Sequence, residues 1–145
     1  MAYSHIAHDC VVGNNCTLAN AATLGGHVTL EDNAVIGGLS GVHQFVRVGR
    51  LAIVGGLSKV VQDIPPFSMC DGHQAKVYSV NLIGLKRARF TLKTIRSLKK
   101  AFKIIFHSGL AKTHAVERVV SEIESSPELE HLIFFLKTSE RGISS

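Results

Sequence analysis

Every sixth residue from Ile6 is aliphatic and branched. The series runs Ile6, Val12, Leu18, Leu24, Leu30, Ile36, Val42, Val48, Val54 and Val60, ten positions in one phase. Two places earlier the side chain is small, as at Ser4, Cys10, Cys16, Ala22, Ala34, Ser40, Ala52 and Ser58; Val28 and Val46 are the exceptions. Glycine often comes next after the aliphatic residue, at positions 13, 25, 37, 49 and 55. This period fits no α-helix, whose apolar positions recur at three and four. It fits a short strand and a tight corner, with three such units closing a triangular coil of about 18 residues. The pattern predicts a left-handed parallel β-helix of hexapeptide repeats. The aliphatic and small side chains point inward, and glycine relieves the corner.

The period ends at "VVQDIPPFSMCDG", where Pro65 and Pro66 are expected to stop the ladder. The predicted organisation is a β-helix over 1–66, an extended connector over 67–78 and a helical domain over 79–145. Helices are expected over 80–89, 91–107 and 113–125, and from Ser126 with Pro127 at the first position. In the second, Leu92, Ile95, Leu98, Phe102 and Ile105 form an apolar stripe with Thr91 as cap.

Composition adds limits. The 145 residues are 46% hydrophobic, enough to bury a core, and carry a formal charge of +5 that suits an anionic partner. The three cysteines form no CxxC pair, and no signal peptide or membrane-spanning run stands out. A reduced, cytoplasmic chain without stable membrane insertion is expected. Cys10 and Cys16 fall at the small inward position and read as core.

The coil gathers the candidate chemistry. Residues 5–9, 23–27 and 41–45 fall at one corner of three successive coils. His5, His8, His27 and His43 lie there with Asp9, Gly26 and Gln44. A metal centre of the hydratase type needs three convergent imidazoles. The HxxxxH spacing of γ-class carbonic anhydrases is missing, so no metal ligand is assigned, but the hydratase remains an alternative. An acid–base pair needs less: a histidine base with a carboxylate that fixes its tautomer. His8 and Asp9 supply that pair, and the Gly26 N–H offers an oxyanion donor. An inert structural prism is the remaining alternative; an ice-binding face is disfavoured because Thr17, Thr23 and Thr29 fall on three different faces. From Lys86 to Lys103 there are eight basic residues and no acidic one. Such one-signed charge favours an acidic protein or phosphates over nucleic acid, since no aromatic interleaving or reader motif accompanies it.

"HIAHDCVVGNNCTLANAATLGGHV", "VHQF" and "VNLIGLKR" together resemble the bacterial UDP-N-acetylglucosamine acyltransferases, over essentially the whole chain. The resemblance implies transfer of an (R)-3-hydroxyacyl group from acyl carrier protein to the sugar 3-hydroxyl, the first step of lipid A synthesis. It implies a homotrimer with sites between subunits and no resident cofactor, the donor being the carrier's phosphopantetheine thioester. By motif, His8 matches the general base, Asp9 its partner and Gly26 the oxyanion donor. His5, His27, His43 and Gln44 match substrate contacts, Gly56 the acyl-chain pocket, and Asn81 and Arg87 nucleotide contacts. The basic residues Arg89, Lys93, Arg96, Lys99 and Lys103 then face acidic acyl carrier protein. The chain departs from the family at Ile83, Ala88 and Gln74. The family also has further coils ahead of this motif, so the chain reads as a C-terminal part with an open first coil.

Overall fold

The computed structural model describes residues 1–145. Ten two-residue strands recur every six residues, from β1 (His5–Ile6) to β10 (Lys59–Val60). They stack into three parallel ladders, His5–Thr23–Gly41–Lys59, Val11–Thr29–Arg47 and Thr17–Val35–Ile53. Each step advances one coil of 18 residues, so the six-residue period becomes a triangular prism. Leu24, Leu30, Ile36, Val48, Val54 and Val60 are buried on its axis. Each contributes about 1.5–3 kcal/mol of apolar burial. Ile6 and Val12 occupy the terminal coil and stay 50% and 38% exposed.

The two valines that break the small-residue rule lie one coil apart. Val28 and Val46 are fully buried one above the other, so one ladder has room for a larger side chain.

Glycine has a different task from the expected one. Within the prism the residues in the left-handed backbone region are Tyr3, Asp9, Asn15, Ala21, His27, Asn33, Leu39, Phe45, Leu51 and Leu57, one at every corner and none of them glycine. The strain is about 1–2 kcal/mol per residue. From Ala21 onward it is offset by a regular bond to the preceding coil, such as His27 N–H to His8 C=O and Phe45 N–H to Gly26 C=O, both 3.0 Å. The repeat glycines sit where coils touch. A Cβ on Gly25 would lie 2.9 Å from the Gln44 nitrogen, and one on Gly37 2.5 Å from that of Gly56.

Past Pro65 and Pro66 the ladder continues. Ile64 bridges Val48, and β11 (Ser68–Gly72) pairs in parallel with β9 (Ile53–Val54), Met69 opposite Ile53. These partners are 16 residues apart instead of 18, because the prolines draw the chain tight against Gly49. The expected connector is therefore a hairpin, β11 returning antiparallel as β12 (Ala75–Val80).

The helices follow as α1 (Leu82–Arg87), α2 (Leu92–His107), α3 (Lys112–Glu122) and α4 (Pro127–Thr138). Thr91 caps α2 by accepting from the Thr94 N–H at 3.2 Å, and Ser126 caps α4 by accepting from Leu129 at 3.2 Å. The buried face of α2 is Ile95, Leu98, Ala101, Phe102 and Ile104; Leu92 is exposed and Ile105 lies at the margin. One continuous core runs from the prism into the helices, so the two parts pack as a unit. Polar ties reinforce it. Glu31 accepts from His131 Nε2 at 2.8 Å and from the Arg50 N–H at 2.9 Å. The Arg47 guanidinium donates to the Phe135 C=O at 2.9 Å while its face covers the Phe135 ring. Asp63, 1% exposed, accepts from the Arg47 N–H at 2.8 Å and the Ser139 hydroxyl at 2.6 Å.

Candidate active site

Consecutive side chains on an ideal strand point to opposite faces. His8 and Asp9 escape that rule because Asp9 takes the left-handed corner conformation, with φ 57°. The turn brings both side chains outward, and His8 Nδ1 lies 2.9 Å from Asp9 Oδ2. The same corner position one coil on is His27 and two coils on is Phe45, also left-handed. His27 Nε2 stands 3.7 Å from Asp9 Oδ2 and stacks on Phe45 at 4.7 Å with an 8° angle between rings. His8 meets His27 edge-on at 5.2 Å. The corner is thus a column, carboxylate, imidazole, phenyl, with His8 beside it.

The hydrogen bond from His8, and then the charge of His27, hold the Asp9 carboxyl below its usual value of 3.8. Asp9 stays an anion near neutrality and accepts from His8 Nδ1–H. His8 Nε2 then carries the lone pair, which is what a general base requires.

Gly26 lies under that ring. A Cβ there would stand 2.6 Å from both Cε1 and Nε2 of His8, so no other residue leaves the imidazole in place. The Gly26 C=O is used by Phe45, whereas its N–H donates to no group of the chain. A free N–H beside the base can meet an oxyanion.

The other candidates divide. His43 belongs to this corner, but its Nδ1 receives the Arg141 guanidinium at 3.0 Å. Gln44 is exposed beside it. His5 is exposed in β1 opposite Thr23 and takes no part in the ion pairs and ring contacts of the His8 cluster. Gly56 lies on the next corner of the prism, against Gly38 and between the exposed Leu39 and Leu57. Arg87 lines a cavity of about 520 Å³ beside the third corner, with Asn15, Asn33, Met69 and Ile83. Asn81 borders that cavity but is only 2% exposed. Its amide donates to the Leu51 C=O at 2.8 Å and accepts from the Gly84 N–H at 3.1 Å, which caps α1. One chain therefore holds the three sets of predicted residues on three different corners.

The basic stripe is exposed along α2, though not free of acid. Lys93 pairs with Glu124 at 3.0 Å, and Lys93, Arg96 and Lys100 share a groove with Glu122 and Glu124. Lys99 and Lys103 face a second groove with Tyr78, Phe102 and His107. Arg89 stands at the exposed turn between α1 and α2, with φ 61°.

His8, Asp9 and His27 each offer one metal-ligating atom, all within 4.8 Å of one another. This is a set of two imidazoles and a carboxylate, not the three imidazoles of the hydratase alternative. Sequence reasoning missed Phe45 and Arg141. Phe45 was within reach, since it follows His27 by one coil and sits in "VHQF". Arg141, 98 residues from His43, carries no local signal.

A family model described as "Udp N-acetylglucosamine O-acyltransferase; Domain 2" matches residues 63–144. An acyl-[acyl-carrier-protein]–UDP-N-acetylglucosamine O-acyltransferase from Anaeromyxobacter sp. (strain K) is 44% identical over 144 residues, 99% of this chain and 56% of the relative. Its namesake from Nautilia profundicola is 46% identical over 143 residues, 99% of this chain and 55% of that one. The solved UDP-N-acetylglucosamine acyltransferase of Campylobacter jejuni superposes with a TM-score of 0.92 at 42% identity, covering 99% of this chain and 56% of that one. That of Bacteroides fragilis gives 0.95 at 35%, covering 97% and 55%. The chain spans about half the length of these relatives and shares their left-handed β-helix with a helical end. It belongs to the UDP-N-acetylglucosamine O-acyltransferase family.

Proposed function

We propose that the chain carries the catalytic half of an O-acyltransferase that moves an (R)-3-hydroxyacyl group from acyl carrier protein to the 3-hydroxyl of UDP-N-acetylglucosamine, opening lipid A synthesis in the cytoplasm. The observation that carries this reading is the His8–Asp9 contact of 2.9 Å set over a glycine whose replacement by any side chain would displace the imidazole. His8 Nε2 takes the proton of the sugar hydroxyl as its oxygen attacks the thioester carbonyl. The oxyanion that forms accepts from the Gly26 N–H. Collapse breaks the carbon–sulfur bond, and His8 returns the proton to the departing thiolate. Asp9 holds the imidazole in the productive tautomer and faces the imidazolium.

The placement of Gly56 and Arg87 on corners away from His8 supports a homotrimer, in which one chain's base meets another chain's pockets. Arg87 then contacts the nucleotide phosphates, and Asn81 serves by fixing the start of the helix that presents it. Lys99 and Lys103, free of the acidic neighbours that border Lys93, form the stronger part of the carrier surface.

The test is product mass after incubation with UDP-N-acetylglucosamine and a series of hydroxyacyl carrier proteins. His8→Ala should lose at least about a thousandfold in kcat/KM with an unchanged circular dichroism spectrum, because His8 is 72% exposed. Turnover retained in that variant would sink the proposal. The metal trio is checked in the same assay, since a hydratase-type centre would show stoichiometric zinc in the purified protein.

A further inference from the structure

His43 Nδ1 has two neighbours that make opposite demands. The Arg141 guanidinium lies 3.0 Å away and the Gln44 C=O 3.2 Å away. A guanidinium only donates, so it needs a lone pair on Nδ1; a carbonyl only accepts, so it needs a proton there. A neutral imidazole cannot satisfy both. The guanidinium contact is the shorter and is charge-assisted. It leaves the single proton on Nε2.

We infer that Arg141 is a positioning residue that locks His43 as the Nε2–H tautomer, making it a hydrogen-bond donor toward an oxygen of the bound sugar nucleotide. The role toward substrate rests on the acyltransferase reading above; the tautomer does not. Two further observations favour it. The segment carrying Arg141 is pinned on both sides: the Ser139 hydroxyl donates to Asp63 at 2.6 Å, and Asp63 and Ser144 continue a short ladder across Gly142. The Arg141 guanidinium also forms no ion pair, although Glu140 and Asp63 border the same cavity of about 220 Å³ with Arg47 and Phe45. Its polar contacts are His43 and, at 3.5 Å, the Val61 C=O. On the two preceding coils the charged groups at this corner are His8, Asp9 and His27, which engage one another, and on the following coil Lys59 is exposed opposite Gly41.

The test is nitrogen NMR of the histidine-labelled full chain at about pH 8, where a free imidazole is neutral. The wild type should show His43 with a bare Nδ1 and a protonated Nε2. Arg141→Gln should move protons to Nδ1, toward the Gln44 C=O, and Arg141→Lys should restore part of the wild-type signal. In the acyl-transfer assay Arg141→Gln should raise KM for the sugar nucleotide by roughly three- to tenfold, the worth of one hydrogen bond, with kcat within about twofold. Glu140→Gln removes a carboxylate that borders the same cavity but forms no ion pair with Arg141, and should change neither readout. A protonated Nδ1 in the wild type, an unaltered tautomer in Arg141→Gln, or the same tautomer change in Glu140→Gln would overturn the lock. A shifted tautomer with unchanged KM would overturn its part in binding. If the tautomers behave as expected but the wild type forms no product with any donor, the acyltransferase reading fails and the lock stands.

Discussion

Replacing Gly26 by alanine should separate the position of His8 from every other feature of the corner. The added Cβ would stand 2.6 Å from His8 Cε1 and Nε2, about 0.8 Å inside the 3.4 Å at which ordinary contact begins. His8 is 72% exposed and has open solvent to swing into, so the clash is relieved by the imidazole and not by the coil. A displacement of that size pulls Nδ1 off the Asp9 oxygen, now at 2.9 Å, and carries Nε2 away from the reacting hydroxyl. A misplacement of about 1 Å can cost about a hundredfold in rate, and the lost orienting bond adds to it. We expect kcat/KM to fall by roughly a hundred- to a thousandfold.

Stability should move the other way or stay level. Gly26 is not among the positive-φ residues, so alanine fits the backbone there. Such a change lowers unfolded-chain entropy by about 0.4–1 kcal/mol in favour of the fold. The proposed oxyanion donor is a backbone N–H and survives the substitution. The assay pairs steady-state acyl transfer with a thermal melt. Activity within a few-fold of wild type would refute the claim that the glycine exists to seat His8. A drop of more than about 5 °C in Tm would refute the claim that His8 absorbs the clash.

Asp63→Ala should cost about 3 kcal/mol, because it leaves the buried Arg47 N–H and the Ser139 hydroxyl unpaired; a Tm lowered by roughly 6–12 °C, with faster proteolysis after residue 138, is the expected reading. Burial pushes the Cys70 thiol up to about 12, so iodoacetamide at pH 8 should leave it intact in the native protein and alkylate it in urea; native modification of Cys70 in peptide mass spectra would contradict its placement in the core. Asp9 should titrate below 3.8 by carbon NMR, and the midpoint should rise in His8→Ala, where the larger of its stabilising partners is gone. The sign follows from a depressed folded value: the pairing is complete above the unfolded pKa and is lost as pH falls through the folded one, so any effect lies on the acid side of about pH 4.

The prism was legible because burial on its axis demands the same residue type at the same phase, and ten such positions in a row leave little room for another architecture. The corner column was legible for the same reason, since register converts a distance of 18 residues into a neighbour. Two kinds of fact were not. The hairpin at 68–80 falls where the prolines shift the register by two residues, so the period that revealed the coils gave no signal there. Arg141 reaches His43 across 98 residues through a tail held by Asp63, and no local pattern encodes such a closure. The glycines were visible but misread: as turn-makers they explained nothing that Asp9, His27 and Phe45 do not already do with side chains in the left-handed region.

That last point bears on why the proposed catalytic pair sits at this corner at all. A corner in the left-handed region is a cost repeated ten times along the prism, and glycine would remove it. Each of these corners keeps a side chain instead, and the conformation turns that side chain outward beside its predecessor. On an ordinary strand His8 and Asp9 would face opposite ways; here the strain sets them 2.9 Å apart without any tertiary support. The next coil then supplies Gly26 and His27 from the same two positions, one bare and one imidazole. The repeat therefore fixes the geometry of the site, and the sequence needs only to choose which side chains occupy it. An insertion of one residue between Asp9 and Gly26 would leave all four residues present but move Gly26 and His27 out of register with His8 and Asp9, so activity should tolerate substitutions elsewhere on the prism far better than any change in coil length.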